Sequence, residues 1–170
     1  MALKADSYEE STDISYFYNA AAATRGGVVC LDDSGQASGA ALDQGENLVS
    51  YQTAAATDIP IGILLNDVVD KDLTRQHINQ HKDEVQKGGK VTVMTRGWVV
   101  TNNITGTPVA GTLAYADSVT AGNISSTADP LGTAQASGNL CIGRWGSRVD
   151  SDGYAKLYVN LPNHGSDTVA

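Results

Sequence analysis

The sequence predicts a mainly β fold: a small barrel or sandwich of short antiparallel strands, with one short helical insertion at about residues 70–86 and an extended N-terminal arm. Three observations carry this. Glycine is abundant, at 18 of 170 residues against about 7% in average proteins, while proline occurs four times, which suits a chain of many tight turns. Short β-branched and apolar runs alternate with turn-forming clusters throughout. The last run sets Ala155, Leu157, Val159 and Leu161 against Tyr154, Lys156, Tyr158 and Asn160, the two-residue period of a strand with one buried face. At this length one domain is expected, divided into an arm (1–18), a β-rich body (19–162) and a C-terminal tail (163–170).

Along the chain, the stretch to about Asp13 is polar, acidic and without period, as an extended or mobile arm would be. It runs into Ile14-Ser15-Tyr16-Phe17-Tyr18, which holds three of the ten aromatic residues. Such a cluster packs either on its own domain as a first strand or on a neighbouring subunit. Arg25 to Leu31 reads as a strand closed by a turn at 32–35, where a side-chain acceptor leads and glycine ends. Leu48 to Tyr51 is a further strand. Ile59 to Leu65 is a compact apolar run, read as a buried strand with Pro60 at its start, where a missing N–H does least harm.

Val68 to Gln86 differs in kind. It has no glycine or proline and places Val69, Leu73, Ile78 and Val85 on a loose one-sided stripe, so a short helix or helical loop is expected within Asp72 to Gln80. Lys87-Gly88-Gly89 would stop it. Lys90 to Val100 then reads as a strand, with Gly97 marking a bulge or a close backbone approach. Turn clusters at 105–108, 111, 121–123, 132, 137–139 and 150–153 separate the remaining strands, at Leu113 to Ala116, Leu140 to Trp145 and Tyr154 to Leu161.

Nineteen acidic side chains against 11 basic ones give a net charge of −8 and a pI near 4.6. An acidic field without a lysine or arginine cluster disfavours nucleic-acid partners. The apolar runs are far shorter than the roughly 20 residues of a membrane span, and the first residues do not resemble a secretion signal. The expectation is a protein made and used without crossing a membrane. Cys30 and Cys141 sit among apolar neighbours and read as small buried hydrophobes on strands. A disulfide between them would need an oxidising environment and a suitable Cα separation.

Candidate chemistry is sparse. His77 and His81 stand at i and i+4, the spacing with which one helix face grips a divalent metal, but Ile78 occupies the position where the zinc-protease pattern has its glutamate. Solvated polarity or interface hydrogen bonding is the favoured reading. Asp67, Asp70 and Asp72 lack the central glycine and terminal glutamate of a calcium loop, and Asp72 suits a helix N-cap. Gly26-Gly27 and Gly88-Gly89 lack the further glycines and lysine of phosphate loops. Trp98 and Trp145 read as core or interface anchors rather than pocket walls. No catalytic residue, metal ligand or cofactor is assigned, and an enzyme is not expected.

The run Gly62 to Val69, its continuation through Thr74 to Asn79 and His81 to Thr92, then Gly97 to Asn102, Gly106-Thr107-Pro108, Gly111, Ala114-Tyr115 and Asp152 to Lys156, resembles the head-decoration or capsid cement proteins of tailed bacteriophages. Ser15-Tyr16-Phe17 and Arg25 to Val29 fit the same likeness, which extends from Ile14 to Pro162 and is weakest over Ala116 to Asn139. The resemblance implies a small, mostly β, non-enzymatic virion protein. It would bind the outer surface of an icosahedral head where major capsid subunits meet, often as a homotrimer, after synthesis in the host cytoplasm. Tyr16, Phe17 and Tyr18 are the candidate subunit or capsid contacts. The alternative is a trimeric β-rich module that binds carbohydrate or a host surface, with Trp98 or Trp145 as stacking platform. A metal-dependent hydrolase built on His77 and His81 comes third.

Overall fold

Short β-branched runs become strands throughout the computed structural model, which describes residues 3–32, 47–51, 59–117, 119–128 and 140–161. The turns expected at 33–35, 132 and 137–139, His164 and the 163–170 tail lie outside the described residues. The strands are β1 (Leu3–Asp13), β2 (Phe17–Tyr18), β3 (Val28–Leu31), β4 (Leu48–Tyr51), β5 (Pro60–Leu64), β6 (Asp67–Val69), β7 (Glu84–Gln86), β8 (Val93–Thr101), β9 (Ile104–Thr105), β10 (Leu113–Ala116), β11 (Ile124–Ser125), β12 (Cys141–Trp145) and β13 (Ala155–Asn160).

Among the described residues, eleven strands form one sheet in the order β2-β4-β3-β5-β8-β13-β12-β10-β11-β9, with β1 paired to β8 beside this path. The sheet is sandwich-like and does not close into a barrel. Most pairs are antiparallel; β2 with β4, β9 with β11 and the separate β6–β7 pair are parallel. Strand β8 is the hinge of the architecture. Val93 and Met94 pair with β5, Arg96 to Thr101 pair with β13, and β1 runs along nearly the whole length of β8.

Two apolar clusters flank β3 and β5. Val28, Cys30, Ile63 and Met94 point to one, which also holds Trp145, Leu157 and Val159; Val29, Leu64 and Val93 point to the other, with Tyr18, Val49 and Val68. Successive strand residues face opposite ways, so an uninterrupted apolar run is what a strand buried on both sides requires. Gly62 is needed here for space: a Cβ would collide with Val93 Cγ1 and the Met94 carbonyl of the next strand. Strand β13 behaves differently, with Ala155, Leu157 and Val159 buried and Tyr158 and Asn160 exposed, as the alternation predicts.

The polar arm is not free. As β1 it makes a main-chain ladder with β8, and most of its side chains stay in water. The register skips around Glu10, opposite Gly97, which has φ +140 and no room for a Cβ against the Tyr8 carbonyl. This is the close approach that the glycine in β8 signalled. Lys4 anchors the start of β1 by a 2.8 Å bond to Asp150 in the β12–β13 turn and lies 4.5 Å from the Tyr154 ring centroid.

The short helical insertion expected at about 70–86 is present as one 3-10 turn, Gln80–Lys82, at the C-terminal edge of the expected 72–80 stretch. The apolar stripe has no surface to pack on: Leu73 is 54% exposed, while Val69 and Val85 belong to the β6–β7 pair. Asp72 does cap, but it caps a turn, accepting from the N–H and hydroxyl of Thr74 at 3.0 and 2.6 Å. Cys30 is buried, Cys141 is partly exposed, and neither forms a disulfide.

Candidate functional site

The aromatic trio lies at the root of the arm. Phe17 and Tyr18 pair with Leu48 and Val49, and the Val91 N–H donates to the Tyr16 carbonyl at 3.0 Å. Phe17 is 8% and Tyr18 1% exposed, so of the two environments open to the cluster these residues take their own domain. Tyr18 meets Tyr51 edge to face at 5.9 Å, and Tyr51 donates its hydroxyl to the Thr24 carbonyl. Burial pushes the Tyr18 phenol up to about 12 and raises that of Tyr51 as well. Tyr16 is partly buried; its phenol is raised chiefly by burial and then by Asp13.

A different aromatic set faces water. Tyr8 of β1 and Tyr158 of β13 both stand opposite Trp98 of β8, and Arg144 of β12 stands opposite Tyr158. Directly paired residues project from the same face, so these four side chains form one row across four strands. Tyr8 is 58% and Tyr158 47% exposed. The Lys156 ammonium lies 3.6 Å from the Trp98 centroid and 5.3 Å from that of Tyr158, within cation–π range. Gly146 makes room for this packing, since a Cβ there would strike the Tyr158 ring. Arg144 donates to the Gly111 carbonyl. The alternation in β13 already put Lys156 and Tyr158 on the solvent face; the register with Trp98 and Tyr8 was not readable locally.

Both tryptophans are thereby placed. Trp145 is fully buried in the first cluster, and one face of the Trp98 indole is covered by the chain's own lysine. Neither arrangement favours a sugar-stacking platform. His77 and His81 are exposed on a segment without the continuous helix that would align them. Among the described residues no three His, Cys, Asp or Glu side chains come together as a metal site. A groove of about 1020 Å³ is lined by Arg25, Tyr51, Asp67, His81 and Glu84 among others. Its carboxylates serve the fold: Asp67 accepts the Arg25 N–H at 2.8 Å and Glu84 accepts from Lys71 at 2.5 Å. Lys71 first, then the Asn79 N–H, holds the Glu84 carboxyl below the usual range.

A family model described as structural cement protein (E217 gp24/Pam3 gp6), a phage family, matches residues 8–160. No curated protein is matched by the chain.

Proposed function

The chain belongs to the phage structural cement protein family, and from that premise we propose that it binds the outer surface of the capsid and ties adjacent major capsid subunits together in the expanded head. The observation that carries this reading is the family match over 8–160, which takes in the second half of the arm strand and the strands of the body through β13. The role is structural rather than catalytic. A net charge of −8 suits a protein that stays soluble outside the shell and has no need of DNA.

The mechanism is linkage. A ligand that binds one state of a lattice and not another stabilises the first by its binding free energy, and repeated sites add avidity. Internal pressure must then break the cement contacts as well as those between capsid subunits. Assembly as a homotrimer at a capsid junction would multiply the contacts made there. Within this reading Phe17 and Tyr18 fasten the arm's root to the body, and Tyr16, the more exposed of the three, is the one that can touch a neighbour.

Co-sedimentation with purified expanded heads lacking this protein tests the proposal. Saturable binding, with head disruption moved to higher temperature, is expected; absence of binding would refute it. The arm is tested by removing residues 1–13, which leaves Phe17 and Tyr18 in place. A cut through 18 would remove buried aromatics and unfold the body.

A further inference from the structure

We infer that the Tyr8–Trp98–Tyr158 row, with Lys156 and Arg144, is the surface that grips the head, and that it takes a carboxylate-bearing segment of a capsid subunit. The inference rests on the capsid-binding reading and supplies its location and chemistry.

Two features of the row agree. Large aromatics in register across β1, β8 and β13 stand on the solvent side of the sheet, where half of Tyr8 and Tyr158 remains accessible. Tyrosine, tryptophan and arginine are the residues that most often anchor interfaces. The row is also built rigidly, on paired strands, with Gly97 and Gly146 admitting the neighbouring backbone and ring, so little ordering cost falls on binding.

The sign of charge selects the partner. In a chain of net charge −8, two cations, Lys156 and Arg144, stand at this row. Among the described residues Lys156 and Arg144 form no ion pair, whereas Arg96 at the row's flank is matched by Glu10 at 3.1 Å. The Lys156 ammonium is held over two rings and Arg144 is oriented by a carbonyl, so both are positioned donors that lack a carboxylate. A segment bearing Asp or Glu, laid across the rings, supplies the missing charge and covers the exposed aromatic area.

The test titrates full-length protein onto purified expanded heads lacking it, at low and physiological salt. Tyr158→Ser and Lys156→Glu should each weaken binding about tenfold or more, with unchanged melting temperature, and Lys156→Arg should retain it. Lys156→Glu should also flatten the salt dependence. If wild type binds and these variants bind equally well, the surface assignment is wrong while the cement reading stands. If wild type fails to bind, both fall. Binding of the isolated protein to a glycan array, lost in Tyr158→Ser, would overturn the choice of partner in favour of carbohydrate. A change in self-association with head binding intact would overturn it in favour of a second copy.

Discussion

Strands β3 and β5 are covered on both faces, whereas β13 and the C-terminal half of β8 are covered on one and open on the other. The two regions share a sheet, yet they do different work. In β3 and β5 the side chains that point away from one cluster mostly enter the second, and only Leu31, at the end of β3, is exposed among the described residues of these two strands. In β13 every second residue is free of the core. The aromatic and cationic side chains that face water are therefore found where burial is one-sided, and stability is concentrated where it is two-sided.

Mutation separates the two regions. Ile63→Ala, at a fully buried position of β5, should cost about 2–5 kcal/mol, read as a shift in urea midpoint. Alkali probes the second cluster through its tyrosines. The Tyr18 phenol sits at about 12 in the fold and near 10 when unfolded, so the protonated side chain favours the native state. Its contribution is complete below pH 10 and is lost as pH rises through 12, by at most about 3 kcal/mol. Tyr18→Phe should flatten part of that slope, and Tyr51 should account for a further part. At the far end of the one-sided sheet Asp117 is 1% exposed and accepts from the Thr105 hydroxyl at 2.6 Å and the Val119 N–H at 3.0 Å. Asp117→Ala should cost about 1–3 kcal/mol by leaving those donors unmatched. The smallest effect belongs to the open face: Tyr158→Ser should change stability by no more than about 0.5 kcal/mol. A large loss there would erase the distinction between the two regions.

Much of this was legible in the amino-acid order. Leu48–Tyr51 and Leu113–Ala116 form strands at the expected bounds, and β5 differs from its expected run by one residue at each end. Each is a short apolar stretch between turn residues, and nothing distant was needed to define it. The bulge opposite Gly97 was marked by glycine within a β-branched run. The arm was harder to read: Leu3–Asp13 has no apolar alternation because only its start is buried, and its strand character comes from the β8 edge to which it bonds. In 70–86 the apolar spacing suggested a longer helical segment than the single 3-10 turn that forms. There the spacing came from residues serving separate purposes, two in a parallel strand pair and Leu73 in water.

By itself, the sequence determined which residues could be strands, which strands have one buried face, and the acidic, motif-poor character that turned the reading away from catalysis. These are local properties, set by side-chain period, turn chemistry and charge. Only the tertiary structure decided that positions 8, 98 and 158 lie side by side, that Phe17 and Tyr18 turn inward, and that of two tryptophans one is core and the other partly exposed. Strand register joins residues far apart in the chain through main-chain hydrogen bonds that every residue type makes alike. The side chains of a single strand therefore carry no record of which neighbours they will meet.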